Sequence, residues 1–568
     1  MVKKSYLFVA FLCALFSNIL AQKKPDFVRF INSENVWVDS VFQKLTPKER
    51  IAQLFLVRAH TDLGQRYIDS VARVIQTEQL GGLVVFQGGP VRHAQMLNQY
   101  QKIAKVPLLV TFDGEWGLGM RMPDSTLSYP YQMTLGAIQN DHLIYQMGRQ
   151  IAKDFHRIGM HFNFAPVVDI NNNPRNPVIN FRSFGDNKHN VTRKAKAYMD
   201  GMADGGIIAS LKHFPGHGDT DVDSHHDLPQ LKFSKARLDS LEIFPFRELI
   251  QQGAPAIMVA HMNIPALDAK PNIPSSISRK VVTDLLRKEL GFNGLTVTDA
   301  MDMKGVTKFF PNGEADVMAI EAGHDLLELS ENSARAIGLV EKAVKSGRIK
   351  QAELDQRVKR ILAAKYWLGL NRYRPVNTAN LINDLNSPAA KSLVQRLADA
   401  AITVLKSDRR IKSFDKKTET AVVSIGITQP QDFEKGLAVQ LSDKKEFLIT
   451  GKETEEELKR LLKEIRRSPQ IVLVIHDNRP RPRNEMNINE NVREFIDRLA
   501  GRRTITVMFT SPYVLDNLPI ARSSGIILGY QNDHFMQKAA LKIILGQVKA
   551  QGKLPVTVNK RFAYGDGE

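Results

Sequence analysis

Between residues 51 and 329, short runs of apolar, often β-branched residues alternate with stretches whose apolar positions recur at helical spacing. The short runs, read as strands, fall at 51–59, 82–86, 107–113, 161–169, 206–213, 256–261, 295–299 and 325–328. Each is followed by an amphipathic stretch, which is the pattern of parallel βα units. Eight such units predict an α/β fold, a closed TIM-like (β/α)8 barrel whose functional groups gather at the C-terminal ends of its strands. Asp113 and Glu115, Asp169, Lys212 and His213, His261, and Asp299 close five of the runs. One polar strand end is ordinarily a solvated loop start. Five in one barrel predict a polar mouth.

A helical stretch ends near Leu370, and the polar, Pro- and Asn-containing segment 371–395 reads as a linker. Beyond it, 401–406, 421–427, 447–450, 471–476, 504–509 and 525–528 read as strands, with helical patterns at 454–466 and 491–499. The expected organisation is a barrel over 22–370 and a smaller α/β sandwich over 396–568. The second unit carries no glycine-rich phosphate loop in the required context. Its expected role is structural, or in shaping access to the barrel.

Composition narrows the setting. The chain has 568 residues, too many for one ordinary core, and its 43% hydrophobic and 24% charged content is that of a globular protein. Lys3 and Lys4 precede an apolar run from Tyr6 to Leu20, followed by Ala21 and a polar stretch. This reads as a signal peptide over 1–21, and export to the periplasm or beyond is expected. The run is broken by Ser17 and Asn18 and is short for a membrane span, so no span is expected after its removal. Cys13, the single cysteine, lies inside it, which leaves the mature chain without disulfides or thiol catalysis. The net charge of +18 is dispersed, with no aromatic-interleaved basic stripe, and nucleic acid is not an expected partner. Attraction to an anionic cell wall is compatible with it.

The densest chemistry lies between Lys212 and Asp227, where glycines and a proline break regular structure and histidines alternate with carboxylates. A calcium loop starting at Asp219 would need glycine at its sixth position and glutamate at its twelfth; these are Ser224 and Gln230. His213 and His217 have the spacing of two zinc ligands on a helix, but Pro215 and Gly216 forbid the helix. No metal and no other cofactor is expected.

Lys212-His-Phe-Pro-Gly-His-Gly-Asp-Thr220, followed by Asp223-Ser-His225, resembles the signature of family-three glycoside hydrolases in their β-N-acetylglucosaminidase branch. Asn163-Phe-Ala-Pro-Val-Val-Asp169, Arg182-Ser-Phe184, Met258-Val-Ala-His261 and Thr298-Asp-Ala-Met-Asp-Met303 continue the match across the barrel. Gly552-Lys-Leu-Pro-Val556 gives a weaker match in the second unit. The resemblance implies an exo-acting β-N-acetylhexosaminidase that works on N-acetylglucosamine-containing glycans from cell wall or chitin by a retaining mechanism. Retaining glycosidases need a nucleophilic carboxylate on one side of the anomeric carbon and an acid/base group on the other. By the resemblance Asp299 is the nucleophile, His225 the acid/base, and Asp223 the carboxylate that holds the histidine ring. It also implies sugar contacts from Asp113, Arg121, Arg182, Lys212 and His213. A histidine ordinarily titrates near neutral pH, which suits both giving and taking a proton. Three other readings are a β-glucosidase or xylosidase, a phosphorylase, whose incoming phosphate a histidine would not repel, and a wall-binding module without activity. Trp116 departs from the family pattern at the end of the third strand. It is expected either to pack on the second unit or to stack on sugar.

Overall fold

The structure is a computed structural model that describes residues 26–407 and 414–568. The expected signal peptide, with Cys13, lies outside the described residues. The first sheet comprises β1 (Phe55–Ala59), β2 (Gly82–Val85), β3 (Leu109–Phe112), β4 (Phe162–Asn163), β5 (Ile208–Phe214), β6 (Ala256–Val259), β7 (Leu295–Thr298) and β8 (Leu327–Glu328). Each strand from β1 to β6 pairs in parallel with the next, and β8 pairs with β1. A parallel bridge between Val297 and Leu326 joins β7 to β8 and completes the predicted (β/α)8 barrel.

The pleat explains why polar strand ends reach the barrel axis. Successive side chains alternate between faces. Leu109, Ile208, Leu295 and Val297 belong to the cluster that fills the barrel, whereas Val110, Ala209 and Leu211 pack outward against helices. Asp113, Lys212 and Asp299 stand four positions beyond Leu109, Ile208 and Leu295, on the same inner face. A one-residue shift in any of these runs would turn its polar end away from the axis.

Each barrel strand is shorter than its predicted run, and two fall short by four residues or more. The run at 51–59 begins as the helix Pro47–Ala52, because Thr46 and Glu49 form a reciprocal cap and Pro47 occupies the first turn. The run at 161–169 pairs regularly only at Phe162–Asn163. Pro166 offers no N–H, and pairing with β5 resumes irregularly where Val168 N–H donates to Lys212 O at 2.7 Å.

The second sheet has the order β11-β10-β12-β13-β14-β9 and comprises β9 (Thr403–Ser407), β10 (Thr420–Ile425), β11 (Lys444–Ile449), β12 (Gln470–His476), β13 (Thr504–Phe509) and β14 (Gly525–Leu528). Only β9 is antiparallel to its neighbour. β11 starts three residues before the predicted run, since an edge strand tolerates Lys444, Lys445 and Glu446. The segment expected as a linker is partly helical: Leu381–Leu385 and Pro388–Ala401 both form helices, the latter capped by Ser387 and burying Leu393, Val394 and Leu397. Among the described residues no helix is long and apolar enough to cross a membrane.

The second sheet's loops dock beside the barrel mouth. Tyr131 O–H donates to Pro480 O at 3.0 Å, and Asn180 donates to Asn484 Oδ1 at 2.9 Å. Asn171 donates to the Tyr513 hydroxyl at 2.7 Å. Pro555, in the Gly-Lys-Leu-Pro-Val segment, accepts from Asp186 N–H at 3.2 Å. Gly185 permits this approach, for a Cβ there would sit 2.1 Å from Pro555 O.

Candidate active site

The end of β3 turns sharply at Asp113-Gly-Glu115. Asn163 on β4 fixes the turn, receiving Gly114 N–H at 2.9 Å and donating to Gly114 O at 3.2 Å. The turn delivers two carboxylates to one cation. Lys212 Nζ lies 2.8 Å from Asp113 Oδ1 and 2.9 Å from Glu115 Oε1. Arg121 pairs with Asp113 at 2.7 Å, and Arg182 grips Glu115 with two nitrogens, the shorter contact being 2.6 Å. Burial pushes the Asp113 carboxyl up, but Lys212 and Arg121 outweigh it and hold the group well below the usual carboxylate range. Glu115 is lowered in the same way by Arg182 and Lys212. Charge-assisted bonds of this kind are short and directional, and they fix the geometry of the wall.

His213 is held by Asp169 of β4's extension, whose carboxylate lies 2.7 Å from its Nδ1 and also accepts the His217 backbone N–H at 2.7 Å. Those contacts pull the loop after β5 against the barrel. Gly218 crosses Ile170 so closely that a Cβ would meet Ile170 O at 1.7 Å. His217 is buried, which pushes its imidazole down to about 4, and its two nitrogens contact Thr220 Oγ1 at 2.8 Å and Ser224 Oγ at 3.2 Å. The neutral His217 ring is therefore a structural strut. Ser224 is anchored twice, because its carbonyl also accepts Gly305 N–H at 3.2 Å.

Next to that anchor, His225 is exposed, with 61% of its side chain open to solvent. Asp223 Oδ1 lies 2.7 Å from His225 Nδ1. Burial raises the Asp223 carboxyl, but hydrogen bonds from the His225 backbone and ring lower it below its ordinary value. A carboxylate can only accept, so Nδ1 carries hydrogen and Nε2 is left to exchange a proton.

Asp299 follows β7. Burial pushes its carboxyl up, while His261, His213, the Ala300 N–H at 2.9 Å and His225 pull it below the ordinary value. An ionised carboxylate is what a nucleophile in this position requires. His261 buttresses the turn, with Nε2 3.0 Å from Ala300 O.

All eight side chains singled out in the sequence, Asp113, Arg121, Arg182, Lys212, His213, Asp223, His225 and Asp299, line one cavity of about 510 Å³. That volume is ordinary for a small-ligand site. A larger hollow of about 810 Å³ on the second unit is lined by Arg502, Arg522 and Arg561 with no carboxylate or histidine. Among the described residues no three His, Asp or Glu side chains converge as a metal site.

Sequence reasoning missed several lining residues. Arg58 of β1 pairs with Asp302 at 3.0 Å, Glu328 closes β8, and Arg481 arrives from the second unit. Glu328 was legible, as it ends an apolar run as Asp299 does. Arg481 was not, because its place depends on how two sheets dock. Trp116 lines the cavity and packs edge-on against Tyr131, with centroids 4.9 Å apart, and against Phe181. Tyr131 in turn bonds the second unit.

Residues 46–364 match the N-terminal domain of glycosyl hydrolase family 3. A β-hexosaminidase A of Pseudoalteromonas piscicida is 28% identical over 552 residues, covering 86% of this chain and 91% of that protein. A β-N-acetylglucosaminidase/β-glucosidase of Cellulomonas fimi is 28% identical over 380 residues, 66% of each. Among solved structures, a family 3 β-N-acetylglucosaminidase from Paenibacillus sp. FPU-7 superposes with a TM-score of 0.77 at 31% identity, covering 91% of this chain and 99% of that one.

Proposed function

Because the chain belongs to glycosyl hydrolase family 3 and is a glycoside hydrolase, we propose that it is an exported, exo-acting β-N-acetylhexosaminidase with a retaining mechanism. Its substrates in this reading are glycans with a terminal non-reducing N-acetylglucosamine, from muropeptides or chitin. The observation that carries the proposal is the Asp223–His225 pair, which shares one cavity with the ionised Asp299.

Asp113, Arg121, Arg182, Lys212 and His213 hold the terminal sugar by its hydroxyls. His225, protonated at both nitrogens, gives the Nε2 proton to the glycosidic oxygen as the bond to the anomeric carbon breaks. Asp299 attacks that carbon from the opposite face and forms a covalent glycosyl-enzyme. The leaving alcohol departs. His225, now neutral, takes a proton from water, whose oxygen displaces Asp299 and restores the anomeric configuration. Asp223 stabilises the imidazolium and keeps the productive nitrogen turned to the substrate. Export rests on the N-terminal pattern of two lysines followed by an apolar run.

Two alternatives share this machinery. The Cellulomonas fimi relative carries both activities in its name, so glucosides are the competing sugar. A histidine in place of a carboxylate would admit phosphate as the acceptor, since it adds no like charge. Hydrolysis of matched aryl β-N-acetylglucosaminide and β-glucoside substrates, with and without phosphate, separates the three. The proposal expects preference for the acetamido sugar and free sugar as product in both buffers. A sugar 1-phosphate, or preference for the glucoside, would replace it.

A further inference from the structure

Four cations on the inner wall of the cavity each have a carboxylate. Arg58 pairs with Asp302, Arg121 with Asp113, Arg182 with Glu115, and Lys212 with both Asp113 and Glu115. Asp299 has the Ala300 N–H and nearby histidines. Glu328 has none of these.

Its position is set by the sheet. Glu328 pairs in register with Leu56, two residues before Arg58, so both Glu328 and Arg58 lie on the inner face. Its backbone N–H donates to Thr298 Oγ1 at 3.0 Å, and its carbonyl accepts Met301 N–H at 2.8 Å. The residue is 4% exposed and lines the cavity, yet its Oε2 is buried without a hydrogen-bond partner. A buried oxygen left unpaired costs free energy, and most such groups in folded proteins have a partner.

We propose that Glu328 is a substrate-binding residue that acts as a neutral carboxylic acid, donating a hydrogen bond to an oxygen of the sugar held beside Asp299. Three observations converge on it. The groups facing Glu328 are Asp113 of the β3 turn, Asp299 and Asp302 after β7, Lys212 of β5 and Arg58 of β1, and every cation among them is already paired. A fifth carboxylate on this wall would meet like charges with no counter-ion. Burial, and then the Asp113 and Asp299 carboxylates, push the Glu328 carboxyl well above its usual range. A neutral acid also spares Asp299 a second negative charge, which would otherwise favour protonating the nucleophile. In the free enzyme Oε2 has no partner supplied by the protein. A sugar hydroxyl or acetamido oxygen supplies one.

The inference rests on the glycosidase reading of the site, and two variants test it with the full chain. Glu328→Gln keeps a donor of similar shape and no charge, while Glu328→Leu removes the donor. With an aryl β-N-acetylglucosaminide at neutral pH, the Gln variant is expected within about 3-fold of wild-type kcat/KM and the Leu variant about 10–100-fold lower, with no fall in Tm. Wild-type kinetics in a folded Leu variant, or an equal loss in both variants, would overturn the role. If the Leu protein does not fold, infrared difference spectra of wild type and Glu328→Gln decide. A protonated-carboxyl band that moves on adding N-acetylglucosamine or glucose, and is missing in the Gln variant, supports the inference; no such band overturns it. Wild-type protein without turnover of any glycoside would instead count against the proposed function, which the infrared measurement does not depend on.

Discussion

Asp223 Oδ1 receives both the backbone N–H of His225, at 2.9 Å, and its ring Nδ1, at 2.7 Å, so one oxygen fixes the chain and the imidazole together. Asp223→Asn should then do more than weaken a bond. The amide can turn its N–H₂ toward Nδ1 and reverse the ring's tautomer. In the proposed mechanism kcat/KM falls about 10–1,000-fold, more for poor leaving groups than for activated aryl glycosides. Steady-state kinetics on a leaving-group series, with circular dichroism to verify folding, would check this; an equal loss across the series would deny His225 its role as acid.

Lys212 is the shared counter-ion of Asp113 and Glu115. Lys212→Met leaves each carboxylate one arginine but takes a charged donor from a buried oxygen of both, at a cost of about 1–3 kcal/mol in unfolding free energy. The double variant Lys212→Met/Asp113→Asn should recover part of that stability and none of the activity. Urea unfolding and turnover measured side by side would show whether the two effects separate.

Away from the cavity, burial pushes the Asp154 carboxyl up to about 7, opposed by hydrogen bonds from Gln150 and Tyr129. The unfolded chain releases this proton near pH 4, so between about pH 4 and 7 the folded state holds a proton that the unfolded state has lost. Stability therefore falls as pH rises through that window and levels off above it. Asp316, pushed up by burial to about 7, adds a slope of the same sign. Asp154→Asn should stabilise the protein by about 2–4 kcal/mol at pH 8, with little effect at pH 4. Unfolding curves at both pH values test it, and equal gains at both would contradict the assignment.

Arg481 is the second unit's contribution to the cavity wall, beside Tyr131, whose hydroxyl bonds the preceding Pro480. If it meets the part of a glycan beyond the terminal sugar, Arg481→Ala should raise KM for an oligosaccharide by about 3–10-fold, the worth of one hydrogen bond. Turnover of an aryl monosaccharide should hold within about 2-fold. Matched kinetics on the two substrates give the answer.

The barrel and most of its mouth were legible because the β pleat has a fixed period. Counting four residues on from Leu109, Ile208 and Leu295 places Asp113, Lys212 and Asp299 on the inner face. The last apolar run ends on Glu328 itself, whose meaning appears only once its neighbours' charges are paired off. What periodicity does not carry is contact between distant segments. The reach of Arg481 across to the barrel, the stitching of Ser224 to Gly305 and the packing of Trp116 on Phe181 all join residues far apart in the chain. Strand limits failed where a local signal outweighed apolarity, as at the Thr46–Glu49 cap and Pro166.

The central claim is that Asp299 becomes covalently joined to an N-acetylhexosamine. Replacing His225 with alanine slows the water step, so an activated aryl β-N-acetylglucosaminide should accumulate the intermediate, and mass spectrometry of the acid-quenched protein should show one added sugar on the peptide containing Asp299. Its absence from the Asp299→Ala/His225→Ala protein would agree with the account. A sugar attached to another residue, or no adduct while turnover persists in Asp299→Ala, would contradict it.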